Sequence, residues 1–152
     1  MPGMTFTYGA TTDPDERAGE FDAGRKVTNI RVGSHADQRF DRVVFDLSGS
    51  GAPGWRVEYT DAAVQDGSGA TVDVPGAAVL TVVLHGINWT DASLPEYGGA
   101  PIDGPGGSIA GVRWGGSFEG ETQAFVGTSD RLPFRVAVLG GPNRVYIDVA
   151  QV

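Results

Sequence analysis

The chain has no cysteine, a single lysine (Lys26) and no long apolar run. Without cysteine it can form no disulfide, no thiolate metal site and no cysteine nucleophile. No apolar run approaches the roughly 18 residues that a membrane-spanning helix needs. Acidic residues outnumber basic ones by 19 to 11, and the net charge of −8 argues against general binding to nucleic acid or to an anionic membrane.

Glycine and proline are plentiful, with 24 and 9 copies in 152 positions. Their frequency, together with many short apolar runs and little helical periodicity, favours a turn-rich all-β architecture. The length suits one domain with a hydrophobic core and is short for two. The composition therefore predicts one all-β domain with little helix.

One strand-like phrase occurs twice in the chain. Residues 42–47 read Arg-Val-Val-Phe-Asp-Leu, and residues 144–149 read Arg-Val-Tyr-Ile-Asp-Val. Because side chains alternate between the two faces of a strand, the second, fourth and sixth residues of each copy share one face. Those positions are apolar in both copies, so both are predicted to be half-buried strands.

The charged residues of the two copies suggest ion pairs. Arg42 and Asp46, like Arg144 and Asp148, are four residues apart. In a strand that spacing is roughly 13 Å, too far for contact. We therefore expect their partners on adjacent strands, the other copy included, and favour a role in fixing strand register over a role in binding.

Residues 1–25 have little apolar periodicity and are predicted to form a flexible arm that docks an aromatic side chain such as Phe6 or Phe21. The domain itself is predicted over residues 26–152. Nine strands are expected, at residues 27–34, 40–48, 55–60, 71–74, 78–85, 109–114, 117–126, 134–139 and 143–150. Their spacing predicts a β-sandwich of two packed sheets with the twin strands near its centre.

The most irregular stretch, residues 86–108, is the predicted place for a ligand, because structureless loops beyond roughly 12–15 residues tend to be functional or mobile. Trp89 and Tyr97 lie there with Asn88 and Asp91. Flat aromatic rings stack on the apolar faces of sugar rings, while amide and carboxylate groups bind hydroxyls. These four residues form the predicted ligand-binding patch. Two further tryptophans lie on predicted strands and are expected in the core: Trp55 and Trp114.

The remaining polar residues match no recognised catalytic or metal-ligand spacing. Glu119 and Glu121 would share a strand face and are the candidate carboxylates of a hydrolase, but a small, shallow sandwich disfavours that activity. Two isolated histidines are expected to be structural or exposed, and three aspartates lack the spacing of a calcium loop: His35, His85, Asp61, Asp66 and Asp73. No metal and no cofactor are predicted.

Several segments together resemble a known family. Residues 40–49, 54–59, 118–127 and 133–136 are similar, in this order, to the pattern of the AMIN-like domain of actinobacterial secreted and lipid-anchored proteins. The resemblance runs from about Val27 to Val149. It is specific for a fold and carries no catalytic signature.

The resemblance implies a non-catalytic, extracytoplasmic domain that targets a protein to the cell envelope by contact with peptidoglycan or another wall glycan. It also implies that a signal sequence or a lipid-bearing cysteine precedes the domain. The abundance of acidic residues disfavours a polyanion such as teichoic acid as the ligand. Two alternatives remain open: a module that binds an envelope protein, and a small hydrolase that uses Glu119, Glu121 or His85.

Overall fold

In the computed structural model, residues 10–141 and 143–151 are described, and they form two antiparallel β-sheets. Phe6 lies outside these residues. The ten strands of the described part are β1 (Asp15–Arg17), β2 (Val27–His35), β3 (Phe40–Leu47), β4 (Gly54–Thr60), β5 (Ala78–His85), β6 (Ile102–Asp103), β7 (Ile109–Phe118), β8 (Glu121–Thr128), β9 (Phe134–Leu139) and β10 (Arg144–Ala150). A short 3-10 turn, Ala36–Gln38, links β2 to β3.

The larger sheet has six strands in the order β1-β4-β5-β8-β7-β6, and the smaller has four in the order β2-β3-β10-β9. Their inner faces meet in one apolar core, where Tyr59 of the larger sheet packs edge-on against Phe134 of the smaller at 5.6 Å between ring centroids. The predicted all-β sandwich is therefore confirmed. Within the described residues, no helix has the length and apolar character needed to span a membrane.

The twin strands β3 and β10 lie side by side at the centre of the smaller sheet. Six apolar side chains from the two strands are buried in the core, as the alternation predicts: Val43, Phe45, Leu47, Val145, Ile147 and Val149. Burying a side chain of this size stabilises a fold by about 1.5–3 kcal/mol relative to leaving it exposed. The repeated phrase thus supplies both central strands of one layer.

The antiparallel register brings the charges of the two copies together. Arg42 lies opposite Asp148, and its Nε and Nη2 donate to the two carboxylate oxygens at 2.6 and 2.9 Å. Arg135 of β9 donates to the same carboxylate at 3.1 Å. The prediction of partners on adjacent strands is confirmed, although Asp46 pairs with Arg31 of β2.

Residues 61–77, which connect β4 to β5, fold over the outer face of the larger sheet, and we call this segment the flap. The Asp66 amide donates to Gln123 Oε1 at 2.7 Å, and the Ala77 amide donates to the Thr128 carbonyl at 2.9 Å. Consequently β8 is buried on both faces from Thr122 to Thr128. The predicted strand at 71–74 is wrong, because Thr71 makes only an isolated bridge to Val64 within the flap.

The boundary between β7 and β8 also differs from the prediction. Strand β7 continues through a bulge at Gly116, whose φ is +87°, and ends at Phe118. Glu119 and Gly120 then form the hairpin turn, with φ values of 49° and 82°. Glu119 is therefore in a turn and does not share a strand face with Glu121, because two consecutive positive φ angles are typical of a two-residue type I′ turn.

Regular structure begins before Val27, where the sequence pattern placed its start. Strand β1 pairs with β4, and Asp15 accepts a hydrogen bond of 2.9 Å from the indole nitrogen of Trp55. Arg17 covers the ring of Trp55 at 5.3 Å from its centroid. Phe21, by contrast, remains 63% exposed.

Candidate functional site

Two exposed aromatic side chains, Trp89 and Phe118, stand together at one end of the larger sheet. Their ring centroids are 6.5 Å apart, and the ring planes are inclined by 50°. Trp89 is 46% exposed and Phe118 is 43% exposed. Burying aromatic rings is strongly favourable, so a pair that stays in solvent points to a surface that binds something.

The hairpin turn fixes the position of Phe118. Because the turn occupies only Glu119 and Gly120, Phe118 lies directly opposite Glu121 in the register. The Phe118 ring packs on the flap at Gly67, where an added Cβ would approach the ring within 3.1 Å. The hairpin and the tip of the flap therefore hold the ring from two sides.

The side chain of Asn88, the residue before Trp89, fixes the loop that carries Trp89. The Asn88 amide nitrogen donates to the Ala23 carbonyl at 2.7 Å, and its oxygen accepts from the amides of Thr90 and Asp91 at 3.1 Å each. Such an Asx turn replaces backbone partners that an irregular segment lacks. Asn88 therefore shapes the loop that presents Trp89.

A buried arginine anchors the start of this loop. The guanidinium of Arg25, 2% exposed, donates to the carbonyls of Glu20, Ser50 and Gly86 at 2.7, 2.8 and 3.1 Å. Burial lowers the pKa of Arg25, since the low-dielectric surroundings penalise the charged form. The backbone amide of Asn88 donates to the backbone carbonyl of Arg25 at 2.9 Å, which ties the loop to the same arginine.

Asp91 closes the next turn of the loop. Its carboxylate accepts hydrogen bonds from the hydroxyl and the amide of Ser93, at 2.5 and 3.0 Å. These two bonds lower the pKa of Asp91, since they favour the charged form. The Asp91 side chain is exposed on the loop that carries Trp89, and its carboxylate is negatively charged at neutral pH.

Tyr97 lies apart from the exposed pair. Its ring packs edge-on against Trp114 at 5.3 Å, its hydroxyl donates to the Ala100 carbonyl, and its amide donates to the Val27 carbonyl at 2.8 Å. Of the four predicted residues, Asn88, Trp89 and Asp91 thus share one loop, whereas Tyr97 packs against the core.

Carboxylates lie beside Phe118. A hollow of about 280 Å³ is lined by Phe118, Gly67, Asp66, Glu119 and Glu121. His85 Nδ1 lies 3.7 Å from the Glu121 carboxylate, and both side chains are 38% exposed. The site therefore combines exposed rings with hydrogen-bond acceptors, an arrangement that suits hydroxyl-rich or amine-bearing ligands.

A family model for the AMIN-like domain matches residues 25–151, which contain both sheets except β1, together with the aromatic pair. The chain belongs to the AMIN-like domain family. The resemblance stated from the sequence is therefore confirmed. No curated protein and no solved structure matches the chain.

Members of the AMIN-like domain family are, in general, non-catalytic domains associated with the cell envelope.

In the described part of this AMIN-like domain, no three His, Asp or Glu side chains gather as a metal site requires. His35 stacks on Phe40 at 4.9 Å, and Asp61 pairs with Arg131 at 2.9 Å. Trp55 and Trp114 pack in or against the core.

Sequence reasoning found Trp89 but missed Phe118. The sequence pattern places Phe118 near the start of a strand predicted over residues 117–126, and aromatic rings on strands usually contribute to a core. The usable signal was Gly120, because an isolated glycine inside a strand pattern often marks an interruption of the strand. A phenylalanine near such an interruption lies at the end of its strand, where the partner sheet covers it less.

Proposed function

We propose that this AMIN-like domain is a non-catalytic, extracytoplasmic module that binds a glycan of the cell wall through Trp89 and Phe118. The observation that carries the proposal is the exposed ring pair, held by the hairpin turn, the flap and the Asn88 turn. Sugar rings present apolar C–H faces to such rings. The family's general association with the envelope supports the same assignment.

The groups around the pair have the chemistry that sugar hydroxyls need. Asp91, Glu119 and Glu121 offer carboxylate acceptors, and Asn88 keeps the loop in shape. Tyr97 packs on Trp114 and is not expected to contact the ligand directly. The concentration of carboxylates also repels phosphate-bearing polymers, so the glycan itself is the expected ligand.

The test is co-sedimentation of the domain with intact sacculi and with sacculi stripped of secondary polymers, at low and moderate salt. We expect retention on both preparations. Trp89→Ala should weaken binding about tenfold, which corresponds to about 1.4 kcal/mol. Phe118→Ala should act in the same direction with a smaller loss.

Phe21→Ala is the matched control, because it removes another exposed ring, 63% exposed, that does not line the hollow beside Phe118. It should leave retention unchanged. Unchanged retention of a folded Trp89→Ala variant would sink the proposal. Release of soluble sugar from the sacculi, abolished by Glu121→Gln, would instead favour a hydrolase.

A protein partner is the second candidate, and one observation favours it. Strand β9 is an edge of the smaller sheet, and its last residue, Leu139, is 40% exposed. Edge strands can pair with an extended segment of another protein. Absence of retention on both kinds of sacculi, with capture of an envelope protein that a Leu139→Asp change prevents, would favour this candidate.

A further inference from the structure

A second hollow lies on the outer face of the larger sheet, beneath the flap. It has a volume of about 240 Å³. Its floor comes from Thr81 and Val83 of β5 and Gln123 of β8, and Ala62 and Val64 of the flap form one wall. Arg56 and Glu58 of β4 form the opposite wall and are paired with each other.

This hollow neighbours the one beside Phe118. Asp66, at the tip of the flap, lines both hollows. In the register, Val83 lies opposite Gln123, and His85 lies opposite Glu121. These two cross-strand pairs are two residues apart along the strands, a distance of roughly 7 Å. Side chains of both pairs point to the outer face, since their intervening neighbours Leu84 and Thr122 are buried in the sandwich.

The lining of the hollow is mixed in a way that suits an N-acetylated sugar. Val64, which is 43% exposed, and Val83 offer an apolar surface for an acetamido methyl group. The Thr81 hydroxyl, already 2.8 Å from that of Thr60, can exchange this partner for a sugar hydroxyl, and Glu58 and Arg56 supply an acceptor and a donor. The volume of about 240 Å³ is below the roughly 300–1,000 Å³ typical of small-molecule sites, which limits the occupant to about one sugar ring.

We propose that the hollow beneath the flap is an additional subsite, and that the domain binds an extended chain of N-acetylated sugars rather than a single terminal ring. This inference rests on the proposed function of the aromatic pair. One end of the chain stacks on Trp89 and Phe118, the chain passes Asp66, and a further ring enters the hollow between Ala62 and Thr81. Affinity then increases with the length of the glycan until the hollow is filled.

The experiment measures the affinity of the domain for the dimer and the tetramer of β-1,4-linked N-acetylglucosamine by calorimetry. We expect the tetramer to bind at least tenfold more tightly than the dimer. Ala62→Trp, an exposed position at the mouth of the hollow, should reduce the affinity for the tetramer to that for the dimer and leave the dimer unaffected. Thr81→Val, which removes only a hydroxyl, should lower the tetramer's affinity a few-fold.

Ala36→Trp is the control, because it places the same bulky ring on an exposed turn next to the smaller sheet. It should change neither affinity. Equal affinities for dimer and tetramer, both lowered by Trp89→Ala, would overturn the subsite and leave the proposed function standing. Trp89-dependent retention on sacculi without binding of either oligomer would overturn the assignment of an N-acetylated glycan chain. Loss of Trp89 dependence in both assays would remove the proposed function and the subsite together.

Discussion

The outer faces of the two sheets are covered in different ways. On the smaller sheet, the side chains cover the face themselves: Arg42 and Arg135 lie over the Phe40 ring at 5.3 and 5.4 Å, and Arg42 lies over Tyr146 at 4.1 Å. Asp148, fully buried, joins the two guanidinium groups. The shared carboxylate holds both guanidinium groups over the aromatic rings of this face.

On the larger sheet, a separate segment covers the face. The flap shields Gln123, Phe125 and Gly127 of β8 but extends only partly over β4 and β5, so a hollow remains. The charge also differs, since carboxylates line the hollow beside Phe118, whereas Arg31, Arg42 and Arg135 lie on the other face. Both faces retain a hollow of similar size, but the one on the smaller sheet, about 250 Å³, is lined by Arg31, Arg42 and His35, whereas the one beneath the flap has an apolar surface from Val64 and Val83.

The largest expected loss of stability tests how the outer face of the smaller sheet is covered. Asp148→Ala leaves Arg42 and Arg135, only 25% and 26% exposed, without their shared carboxylate. Removing one partner of a buried ion pair leaves the remaining charge without compensation, so the free energy of unfolding should fall by about 3 kcal/mol. Urea denaturation measures the loss.

Asp46→Ala is the matched control, because Asp46 holds the same position in the other copy of the phrase. Its side chain is 24% exposed, and its partner Arg31 is 53% exposed. A pair this accessible to water contributes about 0.5 kcal/mol or less. Equal losses for the two variants would contradict the view that burial, rather than the repeated phrase itself, decides the importance of the pair.

A second pair of variants tests the closure of the larger sheet. A Cβ on Gly127 would lie 1.7 Å from the Pro75 carbonyl oxygen, so Gly127→Ala must push the flap away from β8. Overpacking of this kind costs about 2 kcal/mol. Hydrogen exchange should show faster exchange at the Asp66 and Ala77 amides, which donate to β8.

Gly33→Ala makes the same change on the smaller sheet, where an added Cβ would meet nothing within 4 Å. Its stability should be unchanged or slightly higher, by about 0.5 kcal/mol, because alanine restricts the unfolded chain. If Gly127→Ala were equally harmless, the flap would not be closely packed on β8.

Much of the fold was predictable because the alternation of apolar and polar residues is local. The core positions of β3 and β10 and the sandwich follow from it directly. The flap was not predictable in this way, since Thr71–Val74 has the composition of a strand and only tertiary contacts decide that it bridges to Val64. The run from Ala124 to Val126 contained a hint, because consecutive apolar residues indicate a strand covered on both faces.

The site was predictable only in part, for a related reason. The loop composition pointed to Trp89, Asn88 and Asp91, and the turns at Asn88 and Asp91 are formed by hydrogen bonds to residues two or three positions ahead. Phe118 comes from a distant hairpin, and Tyr97 turns to Trp114. Both depend on how the sheet aligns segments far apart in sequence, which local patterns do not encode.

The smallest expected effect concerns the acidic end of the larger sheet. Ser93→Ala removes the hydroxyl donor to Asp91, so the pKa of Asp91 should rise toward the ordinary aspartate value of about 3.9. A carboxylate whose pKa is lowered in the folded state stabilises its loop above the unfolded pKa and loses that effect as the pH falls through the folded one. The Trp89 loop should therefore stay ordered at neutral pH and loosen only in acid, at a higher pH in the variant. Carboxyl carbon NMR measures both changes, with Asp22, whose pKa is lowered by the amides of Gly24 and Ser50, as the internal reference. An Asp91 titration that did not respond to Ser93→Ala would mean that this hydrogen bond does not organise the loop in solution.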